Sequence, residues 1–151
     1  PAIAAMHEAT YAFAHPAAMQ GQPAEMALAV ACLDAMAGQF STVGRWLDMS
    51  RLAQLEMLEA RAHVRAMLGI APEVPSQAVI DALVAASHAL DRGNRAAAER
   101  SLTGPGFSMA PTQMLALLAH FPPVPVANRA TMRASRYLYP GGGGAFEWNP
   151  F

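Results

Sequence analysis

The chain has 151 residues, of which 54% are apolar and 14% are charged, and its formal net charge is −1. So much apolar content with so little charge excludes disorder over the whole chain, and the single cysteine, Cys32, excludes a disulfide scaffold. All ten basic residues are arginines and do not outnumber the acids, so we expect no nucleic-acid partner. No run of 18 apolar residues is free of charge, so no transmembrane segment is predicted.

Helix signals dominate the chain, because 34 of its residues are alanine, the best helix former. Glycine and proline divide it into seven predicted helices, at about 2–13, 23–40, 50–68, 76–91, 94–102, 111–121 and 128–139. The prediction is therefore an all-α single domain of six or seven short helices, an irregular bundle with αα-hairpins, over residues 1–139. Residues 140–151 are predicted to form an extended tail.

Local signals fix several of the predicted helix ends. Ser50, Ser76, Asn94 and Asn128 are placed as N-caps, Pro23 and Pro111 as first helical residues, and Gly69 as the left-handed residue after the third helix. Apolar stripes at helical spacing predict the buried faces. The stripe of the second helix is Met26, Val30, Leu33 and Phe40, and that of the third is Leu52, Leu55, Leu58 or Ala62, and Met67 or Leu68. That of the fourth is Val79, Leu83, Ala86 and Leu90. Six methionines are also assigned to the core: Met26, Met36, Met57, Met67, Met114 and Met132.

The fourth and fifth helices are predicted to form an antiparallel hairpin over residues 76–102. The run 89–98, Ala-Leu-Asp-Arg-Gly-Asn-Arg-Ala-Ala-Ala, is similar to the turn of tetratricopeptide-type hairpins. The resemblance covers one hairpin with no second copy at a fixed period, whereas a repeat array needs at least three units. It implies an αα-hairpin and no more.

No sequence motif for catalysis or cofactor binding is present. There is no Cys-x-x-Cys-His for covalent haem, no phosphate loop and no His-Glu-x-x-His, and no Gly-x-Ser-x-Gly. Cys32 lies on an apolar helix with no basic residue nearby and is interpreted as a small buried hydrophobe. We therefore predict a non-catalytic protein with no cofactor. A Glu56–Glu59 acid–base pair is the weakest alternative.

A small-ligand or metal-binding bundle is the alternative function. Glu59 and His63 are four residues apart on the third helix and Met67 is one turn further. Together with a residue from another helix, this face could hold copper or a non-covalent haem. The competing interpretation is an exposed Glu–His pair beside a packing methionine.

Charge is divided unevenly along the chain. Residues 1–99 hold ten acids and six arginines, whereas residues 100–146 hold four arginines and no acid. Arg129, Arg133 and Arg136 are spaced i, i+4 and i+7, so they form one stripe on the last helix. Arginine is common at protein interfaces, which makes the stripe a candidate partner-binding site. The alternative is a solvated face, or one paired with the acidic part of the same fold.

The C-terminal tail is the second candidate partner-binding feature. Five of the eleven aromatic residues lie within residues 137–151: Tyr137, Tyr139, Phe146, Trp148 and Phe151. Ordering a run of four glycines is costly in backbone entropy, and aromatic residues often anchor interfaces. We prefer docking onto another protein chain, with a hetero-complex favoured over a homo-oligomer. The alternative is a tail that folds back onto its own core.

These observations predict a helical interaction protein that serves as an accessory subunit of a larger complex, such as an oxidoreductase or another membrane-attached assembly. The chain begins Pro1-Ala2-Ile3 without a methionine. Such a start follows removal of a signal peptide, so we expect a periplasmic or otherwise exported protein.

Overall fold

The computed structural model describes residues 2–42 and 49–138 of the chain. The described residues form seven helices and no strand beyond the isolated bridge between Ile70 and Phe107, so the predicted all-α class is confirmed. The helices are α1 (Ala2–Ala14), α2 (Pro23–Thr42), α3 (Arg51–Met67), α4 (Ser76–Asp91), α5 (Arg95–Ser101), α6 (Pro111–Ala119) and α7 (Pro125–Ser135).

Two of the predicted N-caps are confirmed by hydrogen bonds. The Ser50 side chain accepts from the backbone N–H of Ala53 at 3.1 Å, and Asn94 accepts from that of Ala97 at 3.0 Å. Each bond satisfies a backbone donor that has no partner within the first turn of its helix. The hairpin of α4 and α5 is also confirmed, since the two helices pack together.

Ser76 and Asn128 are not N-caps, so these two predictions are wrong. Pro75 occupies the cap position of α4 and makes no side-chain hydrogen bond, so Ser76 is the first residue of the helix. The Ser76 hydroxyl donates to Asp34, 42 residues earlier in the chain. In α7, Val124 is the cap and Pro125 is the first helical residue. Pro125 comes six residues after the end of α6 and begins α7, at a position that proline favours.

The core is built around α2, which packs against α1, α3, α4 and α6. The predicted stripe of Met26, Val30, Leu33 and Phe40 is confirmed, with each side chain at most 2% exposed. Alanines between these residues are buried as well, including Ala27, Ala29 and Ala31. A helix surrounded by neighbours is apolar on most of its circumference, as α2 is.

The predicted buried face of α3 is confirmed at its end, where Leu68 is fully buried, and is wrong before that point, although Leu58 is half-buried. Leu52 and Leu55 are 54% and 47% exposed, and Ala62 is exposed as well. The buried side chains are Ala53, Met57, Ala60, Val64 and Arg65. Because α3 carries a second apolar stripe at i, i+4, i+7 and i+11, helical periodicity alone fits two faces, and packing decides which one is buried.

The last helix, α7, packs against α3 and α1. Its buried residues are small: Ala127, Ala130, Thr131 and Ala134. Met132, which was assigned to the core, is 48% exposed. It lies on the opposite side of the helix from Ala130 and Ala134, at a spacing of two residues from each.

The predicted boundary between the helical domain and the tail, at residue 139, falls beyond the last described residue, Leu138. α7 itself ends at Ser135 and is followed by a turn over residues 136–138, so it is shorter than predicted. Tyr139, Phe146, Trp148 and Phe151 lie outside the described residues.

Candidate functional site

The arginine stripe on α7 divides into two exposed members and one paired member. Arg129 and Arg136 are exposed. Arg133, between them, forms an ion pair with Glu56 of α3 and is less exposed than either. The intramolecular alternative therefore holds for Arg133, whereas Arg129 and Arg136 have no carboxylate within ion-pair distance in the described part of the chain.

α3 and α7 run in opposite directions along their contact. Glu56 forms an ion pair with Arg133. Ser50, the N-cap six residues before Glu56, lies close to Tyr137, which is in the turn after α7 and four residues after Arg133. Hydrogen bonds from the Ser50 side chain and backbone, with a smaller contribution from Arg133, hold the pKa of Tyr137 below its usual value.

Exposed residues flank the Glu56–Arg133 pair along both helices. Leu52 is one turn before Glu56 on the same side of α3, and Leu55 adjoins it. On α7, Arg129 and Arg136 are one turn to either side of Arg133. Met132 lies between them, three residues after Arg129 and four residues before Arg136. We call Leu52, Leu55, Arg129, Met132 and Arg136 the α3–α7 surface.

This surface has two leucines on α3, and on α7 it has two arginines with a methionine between them. Leu52, Leu55 and Met132 are three of the four large exposed hydrophobic side chains among the described residues; the fourth is Tyr11, which stacks on His15 in α1. Sequence reasoning identified the arginines and missed these three, because it assigned each of them to the core. The exposure of the two leucines could have been predicted from the competing apolar stripe of Ala53, Met57, Ala60 and Val64, because only one of the two stripes can face the core.

The proposed metal-binding face does not gain a further ligand from the fold. Glu59 and His63 are exposed and Met67 is half-buried on α3. Across residues 2–42 and 49–138, no group of three or more His, Cys, Asp or Glu side chains is arranged to hold a metal ion.

A buried ionic cluster joins α2, α3 and the start of α4, and sequence reasoning did not anticipate it. Arg65 donates to both carboxylate oxygens of Asp34, from Nε at 2.7 Å and from Nη2 at 2.9 Å. Its Nη1 donates to the carbonyls of Pro72 and Val74, and the Ser76 hydroxyl donates to Asp34 Oδ1 at 2.7 Å. The side chains of Arg65 and Asp34 are 4% and 2% exposed, so the pair is buried with its hydrogen bonds satisfied.

Among the described helices, none has both the length and the hydrophobicity needed to cross a membrane. Comparison of the chain with protein-family models, with curated proteins and with solved structures finds no match in any of the three.

Proposed function

We propose that the protein is a non-catalytic helical interaction protein, an accessory subunit of a larger assembly, which binds its partner through the α3–α7 surface and the C-terminal tail. The observation that carries the proposal is the exposure of Leu52, Leu55 and Met132 beside Arg129 and Arg136. It stays a prediction that the assembly is an oxidoreductase or another membrane-attached complex. The periplasmic location of the protein also stays a prediction.

The chemistry of the surface defines the partner that fits it. Exposed apolar side chains grouped together mark interaction sites more often than isolated ones do. Arginine adds forked hydrogen bonds to carboxylates. We therefore expect a protein segment with an apolar side chain for Leu52 and Leu55 and with acidic residues for Arg129 and Arg136.

Leu52 and Leu55 contribute little to the packing of the core, so stability of the fold does not explain why these positions are apolar. Leu52 and Leu55 leave about half of their surface in water, whereas the neighbouring Met57 and Ala60 fill the core. Replacing the leucines by polar residues should therefore change partner binding more than it changes stability, because surface substitutions usually alter stability by about 0.5 kcal/mol or less.

The experiment compares two surface variants with matched controls. Leu52→Gln with Leu55→Gln removes the apolar part, and Arg129→Glu with Arg136→Glu reverses the basic part. Tyr11→Gln changes an exposed aromatic residue elsewhere, and Arg92→Glu reverses an exposed charge at the end of α4. The partner is isolated with the tagged protein from its native host, and its affinity for each purified variant is then measured by calorimetry.

We expect each surface variant to weaken binding at least tenfold and the two controls to bind like the unchanged protein. Deletion of residues 141–151 should also release the partner while the helical circular dichroism stays intact. A partner that binds the surface variants and the deletion variant with unchanged affinity would contradict the proposal, as would failure to recover any partner from the host.

A further inference from the structure

One side of α3 is an uncovered stripe. The helix packs against α2 and α7, and the side turned away from them is exposed. Five exposed residues follow one another along this side at alternating spacings of three and four: Leu52, Leu55, Glu59, Ala62 and Ala66. This heptad spacing is the one that lets a second helix lie along the first. We call these five residues the outer face of α3.

The outer face has large side chains before its centre and small ones after it. Leu52 is seven residues before Glu59, and Ala66 is seven residues after it. When two copies of α3 lie antiparallel with both Glu59 residues at the centre, the Leu52 of each copy lies opposite the Ala66 of the other, and Leu55 lies opposite Ala62. Large side chains that face small ones interdigitate closely. The outer face is therefore complementary in shape to a second copy of itself.

The charges at the centre of the outer face are complementary as well. Glu59 of α3 and Arg129 of α7 are exposed, and neither forms an ion pair within the described residues. Arg129 is one turn before Arg133, and Arg133 pairs with Glu56. Because α3 and α7 are antiparallel, Arg129 lies about one turn beyond Glu56 along α3, at the level of Glu59. A second copy brings its own Glu59 and Arg129 to this level, so that two acids face two arginines.

We propose that the protein forms a two-fold symmetric dimer by antiparallel pairing of its outer faces, with Arg129 of each copy bound to Glu59 of the other. A two-fold interface uses the same patch on both subunits, and the outer face supplies both halves of each contact. The inference rests on the proposed function, because Leu52 and Leu55 belong to the α3–α7 surface, and it names a second copy of this chain as their partner. Arg136 of each copy is left for the other chains of the assembly.

The test is sedimentation equilibrium of the full chain over a range of concentrations, with circular dichroism as the check on folding. Glu59→Arg places four arginines at the centre of the dimer, and Arg129→Glu places four acids there. Ala66→Glu puts a charge opposite Leu52 and lies outside the α3–α7 surface. Glu73→Arg is the control, since it makes the same change of charge as Glu59→Arg at an exposed position beyond the outer face.

We expect the unchanged protein to be a dimer, and each of the three interface variants to weaken dimerisation about tenfold or more, because like charges or an unpaired charge are brought into the interface. Glu73→Arg should dimerise like the unchanged protein. A mixture of Glu59→Arg with Arg129→Glu is the sharpest test. One variant then supplies two arginines and the other two acids, so the mixture should form a heterodimer although neither variant dimerises well alone.

A chain that stays monomeric up to millimolar concentration would overturn the proposal. So would a dimer that folded interface variants do not weaken, or a mixture of the two charge-reversed variants that does not associate. A monomeric chain that still binds a partner from its host through Leu52 and Leu55 would overturn this inference and leave the proposed function in place. A dimer weakened by Ala66→Glu, from a host that yields no other partner, would support this inference and contradict the accessory-subunit function.

Discussion

At the scale of single residues, burial decides the chemistry of the one cysteine. Cys32 lies on α2 and packs against the core while remaining partly accessible. Burial, followed by the nearby Glu8 carboxylate, raises the pKa of its thiol from 9.0 to about 12. The thiolate is the reactive form, so the interpretation of Cys32 as an inert small hydrophobe agrees with its surroundings.

We predict that Cys32 reacts slowly with aromatic disulfide reagents in the folded protein. Below pH 9 the raised pKa makes the thiolate fraction about a thousandfold smaller than in the unfolded chain. The native rate should keep rising about tenfold per pH unit above pH 9, where the rate in urea levels off because the unfolded thiol is already ionised. Equal rates in the native and urea-unfolded protein at pH 8 would contradict this prediction.

The buried Asp34–Arg65 ion pair joins α2 and α3 through two charged side chains. Arg65 makes two bonds to Asp34 and two to backbone carbonyls. The fold therefore buries a charged residue of α3 that neither apolar stripe of the helix includes. No local signal connects positions 34 and 65, because the two residues meet only when α2 packs against α3.

We predict that Asp34→Ala lowers the free energy of unfolding by about 3–5 kcal/mol, because it leaves the Arg65 charge buried and unpaired. The control is Glu99→Ala, which removes an exposed pair with Arg95 and should cost less than about 1 kcal/mol. Urea unfolding followed by circular dichroism measures both. Similar losses in the two variants would mean that burial of the first pair carries no special penalty.

At the scale of elements, the glycine that follows α3 is crowded by a distant part of the chain, which a local prediction cannot show. Gly69 and Gly93 follow α3 and α4, and both adopt a φ of +70°. A Cβ atom on Gly69 would lie 2.8 Å from the Met109 side chain, whereas one on Gly93 would have nothing within 4 Å. The sequence predicts the left-handed position of Gly69, but only packing shows that it is more crowded than Gly93.

We predict that Gly69→Ala destabilises the protein more than Gly93→Ala does. Both should lose about 1–2 kcal/mol for the left-handed backbone, and Gly69→Ala should lose more because the segment around Met109 must move. Urea midpoints of the two variants measure the difference, with the equilibrium slope checked for constancy. Equal midpoints would show that the contact with Met109 adjusts without cost.

At the scale of the whole molecule, the acidic first part and the basic last part of the chain meet along the α3–α7 contact. Glu56 and Arg133 join the two parts directly. The remaining arginines of the stripe, Arg129 and Arg136, stay exposed. One arginine of the basic part is therefore paired within the fold. The two exposed arginines support the proposed partner surface.

The sequence by itself determined the helical class, the positions of the breaks and most helix ends, because alanine content, glycine, proline and caps such as Ser50 and Asn94 act within a few residues. It also determined the buried stripe of α2, where apolar side chains occupy most of the circumference. Only the tertiary structure decided which of the two apolar stripes of α3 is buried, that Ser76 binds Asp34 instead of capping α4, and that Arg133 is paired while Arg129 is not. Each of these depends on contacts between separate helices, and which helices meet is determined by the packing of the whole bundle.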